Sequence, residues 1–318
     1  MTNPTFNVLP SEPLDAYRRL YEETDLPLNV EGLEHALFLK KRLSVCVVRV
    51  DQVHPQISGN KWFKLKYNLK AAIEQGASCI ISFGGAYSNH LHALAYACHC
   101  LGLHSVGVVR GEPVDNPMLI DAKAWGMRLH FVNRETYRLR AEPAWLNALP
   151  SLVGDGFILP EGGSSALAVK GVGELMQQIN TVEPALDYVV CACGTGGTLA
   201  GLVSTAAKTV VQGIPVLKGA GFLHDDVSAL LLASGHERTA SKWELDLFGH
   251  YGGYGKMNAD HIAVMKQLED DFSLSLDPVY TAKLFRRFME KVENDDYPEG
   301  SRIALVHTGG LQGRRSIT

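Results

Sequence analysis

The chain has 318 residues, 46% of them hydrophobic and 20% charged, which is enough for one large or two ordinary domains around a sizeable core. Its formal net charge of −4 gives no electrostatic reason to expect a nucleic-acid partner. No apolar run approaches the ~20 residues that span a bilayer, and residues 1–13 lack the charged start and apolar stretch of a secretory leader. The expectation is a cytoplasmic protein with neither a nucleic-acid nor a membrane partner.

Taken in chain order, strand-like runs fall at 45–50, 79–83, 105–109, 128–132, 157–159, 188–192, 215–219 and 302–307. Helical patterns fall at 63–74, 88–100, 118–125, 166–178, 198–210, 260–272 and 279–292. This alternation predicts an α/β protein with mostly parallel, buried sheets. Ligands of such sheets collect in a crevice at the carboxyl ends of the strands. Glycine-bearing turns follow four of the strands: Phe83-Gly84-Gly85, Pro160-Glu161-Gly162-Gly163, the turn from Cys193 to Gly197, and the turn from His307 to Gly310. They are either ordinary loop glycines or the walls of one pocket. Six cysteines (Cys46, Cys79, Cys98, Cys100, Cys191, Cys193) form no Cys-x-x-Cys pair, so reduced, mostly buried thiols are expected and a metal site is not.

The most informative segment is Ser58-Gly59-Asn60-Lys61, which precedes a helical run. Lys61 stands at a helix start, where the macrodipole opposes positive charge and favours the neutral amine. A neutral amine is the form that condenses with a carbonyl. Lys64, one turn later on the same face, would bring a second positive charge, whereas Lys66 projects elsewhere and is expected in solvent. The run from Val189 to Gly201 takes an apolar strand through Gly194-Thr195-Gly196-Gly197-Thr198 into a helix. Such a turn aims successive backbone N–H groups into a concavity that fits a phosphate. A reactive amine and a phosphate cradle are together what pyridoxal phosphate (PLP) requires.

The turn fits neither common nucleotide motif. It lacks the Gly-Lys-Ser/Thr of a Walker loop. Leu199 stands where a dinucleotide fingerprint has its last glycine, and no acid occurs between Tyr188 and His224. Ser88 is either a helix N-cap or a ligand of the substrate carboxylate, and Asn89 would bond the cofactor's ring hydroxyl. His90 and His92 are either half-buried helix residues or, for His92, part of the pocket wall. Tyr254 and Tyr280 are candidates to bring a phenol to the substrate, and Thr308 to meet the pyridine nitrogen.

In this order the motifs resemble the 1-aminocyclopropane-1-carboxylate (ACC) deaminase/D-cysteine desulfhydrase family of PLP enzymes, which has the tryptophan-synthase β-like fold (PLP fold type II). The resemblance rests on Gly59-Asn60-Lys61, Gly84-Gly85 followed by Ser88-Asn89-His90, Gly194 to Thr198, Asp277-Pro278-Val279-Tyr280 and His307-Thr308-Gly309-Gly310. It implies two open, twisted, mostly parallel sheets with helices on both faces. It implies a large domain of residues 1–62 and 161–318, a small domain of residues 63–160 inserted into it, and a homodimer. By the same comparison Lys61 carries the cofactor, Ser88 and Asn89 flank it, Gly194 to Thr198 hold its phosphate, and Tyr254 and Tyr280 are the active-site tyrosines. Tyr87, Ser88, Asn89, His90 and Thr281 would meet a small amino-acid substrate.

Within the family, ACC deaminases carry a glutamate where this chain has Thr281 and a leucine where it has Thr308. A carboxylate beside the pyridine nitrogen would strengthen the electron sink, as opening a ring that lacks an α-hydrogen requires. Threonine suffices for removal of an α-proton and loss of a good β-leaving group. The sequence therefore points to a D-cysteine desulfhydrase-like α,β-elimination that yields a keto acid and ammonia, plus sulfide from D-cysteine, with ACC deaminase as the alternative. Tyr87, His92, Ala282 and the run Arg49-Val50-Asp51 depart from both subgroups, Tyr87 and His92 being expected near the substrate's side-chain end. A non-catalytic PLP-binding protein is the further alternative on this fold.

Overall fold

The computed structural model describes residues 12–57, 59–236 and 241–316. Its larger sheet runs in the order β1 (Val30–Leu33), β2 (Ser44–Val48), β10 (Arg302–Val306), β7 (Tyr188–Cys193), β8 (Val210–Pro215), β9 (Trp243–Leu245). Every neighbouring pair in it is parallel except β1 with β2. The smaller sheet runs β5 (Met127–Val132), β4 (His104–Arg110), β3 (Cys79–Gly85), β6 (Phe157–Leu159), and is parallel throughout. Helices α1 (Pro13–Thr24), α2 (Ala36–Lys40), α3 (Asn60–Glu74), α4 (Asn89–Leu101), α5 (Pro117–Ala124), α6 (Arg134–Arg138) and α7 (Pro143–Val153) belong to the first half of the chain. Helices α8 (Ala166–Val182), α9 (Gly197–Thr205), α10 (Leu223–Ala233), α11 (Ala259–Phe272) and α12 (Thr281–Glu293) follow. This is the α/β architecture expected from the sequence.

Strand β7 explains why the larger sheet is buried on both faces. Successive side chains point to opposite sides. Val189 and Cys191 join one apolar core with Leu199, Leu202 and Val172, whereas Val190 and Ala192 join another with Phe285, Phe288 and Leu305. A strand covered on both sides reads as a continuous apolar run, and Tyr188 to Cys193 does.

Three expectations need correction. The strand expected at 215–219 lies at Val210–Pro215, and the helix expected to run to 210 stops at Thr205. Ala207 takes φ +55°, which ends the helix, and Thr209, Val210 and Val211 are β-branched residues suited to an extended chain. Strands β1 and β9 were not expected. Both are short sheet edges whose apolar runs are broken by glutamate (Val-Glu-Gly-Leu and Trp-Glu-Leu), unlike the all-apolar Phe157–Leu159 of β6. Lys66 is not solvated: only 3% of it is exposed. It pairs with Glu174, and its amine lies over the rings of Phe63 (5.1 Å), Tyr67 (5.4 Å) and Tyr21 (5.5 Å). A buried ammonium needs such partners.

The turns at Leu311–Ser316 strap the two halves together. Gln312 Nε2 donates to Asn89 Oδ1 on α4 (3.0 Å), Arg315 pairs with Asp121 on α5, and Arg314 pairs with Glu269 on α11.

Candidate active site

The carboxyl ends of β3, β7 and β10 meet at a cavity of about 120 Å³. All four glycine-bearing turns contribute to its wall, through Gly85, Glu161 and Gly162, Cys193 to Gly197, and Thr308. This is the crevice position that ligands favour in parallel sheets.

Lys61 enters it from the first turn of α3. Gly59, the N-cap, has φ +63° and ψ −136°, a conformation that glycine tolerates and other residues do not. A Cβ there would lie 1.9 Å from the Thr308 carbonyl oxygen. Ser58, also in the motif, lies outside the described residues. Lys61 Nζ donates to Asn60 Oδ1 (2.7 Å) and lies 6.0 Å from the centre of the Tyr280 ring. Burial pushes its pKa down to about 8, against the opposing charge of Asp277.

Lys64 is 3% exposed and reaches the glycine-rich turn, with Nζ 2.9 Å from Ser164 Oγ and 3.4 Å from Thr195 Oγ1. Burial, and then the charge of Lys61, hold its pKa well below that of a free lysine. Asn60 Nδ2 donates to Thr198 Oγ1 (2.6 Å) and fixes the start of α3 against the start of α9. A Cβ on Gly197 would stand 2.6 Å from Ser164 Oγ and 3.0 Å from Lys64 Nζ, so glycine keeps this end of the cavity open. Two lysines, three hydroxyls and a glycine-rich backbone make a donor set suited to a phosphate. The carboxylate in this wall, Glu161, is already engaged by Tyr137 Oη (2.7 Å) and Arg140 Nε (2.6 Å). The residues fit pyridoxal phosphate.

Ser88, Asn89, His90, Tyr254, Tyr280 and Thr308 also line the cavity. Ser88 is the N-cap of α4, accepting from the Leu91 N–H (3.2 Å). Ser82 Oγ donates to the Leu159 carbonyl (2.8 Å), so His90 Nε2–H is the donor in the 2.8 Å contact with Ser82. His90 Nδ1 is then a buried acceptor with no partner. Burial, then Lys64 and Lys61, keep the ring neutral. The rings of Tyr254 and Tyr280 meet edge to face at 6.0 Å. Burial raises both phenol pKa values, so both stay protonated at neutral pH.

Two residues lie elsewhere than expected. His92 faces away from the cavity, with Nε2 3.0 Å from Asp121 Oδ2 and its ring edge-on to Trp125 at 4.7 Å. Its direction is set by what packs opposite, Asp121 on α5 and Trp125 just past it. Thr281 is fully buried and does not reach the cavity; its hydroxyl accepts from the Asp277 N–H (2.6 Å) and closes the turn before α12. Tyr87 is 46% exposed and lines an outer chamber of about 340 Å³ that adjoins this cavity.

Sequence reasoning passed over Asn60, Arg110 and Asp277. Asp277 is 1% exposed and accepts from the N–H groups of Val279 (3.1 Å) and Tyr280 (2.5 Å). Burial pushes its carboxyl up to about 7 despite those bonds. The aspartate opening Asp277-Pro278-Val279-Tyr280 was the available signal, since a turn that begins Asp-Pro draws its side chain inward to cap it. Arg110 had no such signal, being one arginine at the end of a strand.

Comparison with known proteins gives the family. Residues 28–309 match the family model described as pyridoxal-phosphate dependent enzyme. A putative 1-aminocyclopropane-1-carboxylate deaminase of Pyrococcus abyssi is 31% identical over 297 residues, covering 85% of this chain and 86% of that protein. A D-cysteine desulfhydrase of Klebsiella pneumoniae subsp. pneumoniae is 29% identical over 303 residues, covering 90% of each. The mitochondrial bifunctional D-cysteine desulfhydrase/1-aminocyclopropane-1-carboxylate deaminase of Arabidopsis thaliana is 29% identical, covering 84% of this chain and 72% of that one. The crystal structure of an ACC deaminase homologue superposes with a TM-score of 0.80 at 24% identity, over 94% of this chain and 96% of that one. With the match running across most of its length, the chain belongs to the pyridoxal-phosphate-dependent enzymes.

Proposed function

We propose that the protein catalyses α,β-elimination and deamination of a small β-substituted amino acid, in the manner of a D-cysteine desulfhydrase, releasing a keto acid and ammonia. The observation that carries this reading is Lys61 itself, an amine with a lowered pKa that shares one cavity with the Gly194–Thr198 turn. Bound pyridoxal phosphate supplies an electron sink for the charge left at the α-carbon of an amino acid.

The remaining work falls to the chain's own groups. Lys64, Thr195, Thr198 and the backbone of Gly194 to Gly197 hold the phosphate. Asn89 takes the ring hydroxyl, and Thr308 the pyridine nitrogen. Ser88, with His90 beside it, takes the substrate carboxylate. Lys61 Nζ removes the α-proton as general base. The tyrosine pair, protonated at neutral pH, orients the substrate and excludes water. Thr281 acts only indirectly, by holding the turn that presents Asp277 and Tyr280.

The strands of the smaller sheet all fall between residues 79 and 159, and those of the larger sheet on either side. That arrangement supports an inserted small domain of about residues 63–160, with 1–62 and 161–318 forming the large one. A cytoplasmic homodimer completes the reading. No helix among the described residues is long and apolar enough to cross a membrane.

A second reading, ACC deaminase, is favoured by the name of the Pyrococcus abyssi relative and disfavoured by Thr308 in the cavity wall. Keto-acid and ammonia release from D-cysteine, other D- and L-β-substituted amino acids, and ACC separates the two. Greater turnover of ACC reverses the ranking, and no product from any of them leaves only cofactor binding.

Lys61 also sets a pH dependence. The neutral amine is the form that attacks the cofactor's aldehyde, and its fraction grows as pH rises through about 8. Cofactor-free protein is therefore expected to capture pyridoxal phosphate faster as pH rises from 7 to 9, followed by the new near-visible absorption. A capture rate that falls over this range contradicts the assignment.

A further inference from the structure

The outer chamber adjoins the inner cavity and shares Gly85, Asn89, Arg110, Tyr254 and Tyr280 with it. Two arginines line it. Arg110 is the last residue of β4, and Arg134 follows the carboxyl end of the neighbouring β5, where α6 begins. The two strands are parallel and in register there, Arg110 lying opposite Val132. Both arginines therefore rise from the same end of the smaller sheet. A Cβ on Gly85 would lie 3.6 Å from Arg110 Nη2, so the guanidinium spans the boundary between the two compartments.

Among the described residues no carboxylate pairs with either arginine. Arg110 instead stacks over the Tyr137 ring at 5.6 Å. Asp277 is the acidic residue of the chamber wall, and it is turned into its own backbone, accepting from Val279 and Tyr280. Glu161, in the inner cavity, is taken by Tyr137 and Arg140. The chamber thus presents two exposed guanidinium groups free to meet a ligand, Arg110 reaching the wall of the cavity that holds Lys61. Such forks match the geometry of a multi-oxygen anion.

We propose that the outer chamber receives an anionic β-substituent of the substrate, an oxyanion such as a sulfonate or a phosphate ester, with Arg110 and Arg134 as its specificity-determining residues. The inference rests on the elimination reading above. As the α-proton leaves, its electron pair forms the Cα–Cβ double bond. The Cβ–S or Cβ–O bond breaks, and its pair departs with sulfite or phosphate. One water then hydrolyses the released enamine to pyruvate and ammonium.

The test compares holoenzyme turnover of cysteate and O-phosphoserine, each as both enantiomers, with turnover of 3-chloroalanine, whose substituent is uncharged. The wild type is expected to prefer one of the oxyanions, which identifies the source. Arg110→Gln and Arg134→Gln should each lower the ratio of oxyanion to 3-chloroalanine kcat/KM at least about tenfold, and Arg110→Lys should restore part of it. An unchanged ratio in both glutamine variants overturns the proposal.

A calorimetric arm does not need turnover. Holoenzyme should bind 3-sulfopropanoate at least about tenfold more tightly than butanoate, and the double glutamine variant should lose the difference. Equal binding of the two acids by the wild type also overturns the proposal. Should 3-chloroalanine give no product while 3-sulfopropanoate binding depends on the arginines, the elimination reading fails and the anion chamber stands.

Discussion

Replacing Lys61 with alanine is expected to abolish the near-visible absorption of the holoenzyme and to lower turnover by a factor on the order of 10³ or more. On the proposed assignment the substitution removes both the amine that joins the cofactor and the base that takes the α-proton, two roles on one atom. The fold should persist. Lys61 is the second residue of α3 and makes one side-chain hydrogen bond, to the adjacent Asn60. Alanine is also the best helix former. Absorption spectra and ammonia release, measured beside far-ultraviolet circular dichroism, separate loss of chemistry from loss of structure. A Lys61→Ala protein that retains both the band and the turnover defeats the site assignment.

The second large effect is structural. Gly59→Ala is expected to destabilise the protein by more than about 3 kcal/mol. Its new methyl would lie 1.9 Å from the Thr308 carbonyl oxygen and 2.7 Å from the Gly309 nitrogen. Both are backbone atoms in the turn that follows the central strand β10, and neither has a rotamer to yield. Positive φ adds its own cost. Gly76→Ala gives the cost of positive φ without a clash, because Gly76 has φ +73° and a methyl there would meet nothing within 4 Å; a loss of about 1 kcal/mol is expected. Urea unfolding of the two variants reads the difference directly. Equal losses would mean that the contact with the turn after β10 is unimportant.

What the sequence made legible follows from how locally each feature is determined. The first-turn position of Lys61 needed only the turn residues before it and the apolar spacing after it. The turn at Gly194–Thr198 needed only a strand, a run of glycines and a helix in succession. Side-chain direction was harder, because it is set by what packs opposite. His92 belongs to the wall against α5 since Asp121 and Trp125 await it there, and nothing between residues 88 and 100 encodes that. Thr281 carried a family contrast, yet its hydroxyl is taken by its own turn. Lys66 has the composition of a surface residue and becomes buried only because Glu174, a hundred residues on, meets it. Arg110 and Asp277 gain meaning from each other's compartment, which exists only once the two sheets face one another.

The position of β10 has a consequence for biogenesis. It sits between β2 and β7 in the middle of the larger sheet, yet it is that sheet's final strand in sequence. The smaller sheet, drawn from one contiguous stretch of residues 79–159, can assemble while the ribosome is still translating. The larger sheet cannot, because β2 and β7 have no neighbour to join them until residues 302–306 emerge. The cavity, whose wall includes Thr308 just past β10, is therefore completed only once this last strand has taken its place between β2 and β7.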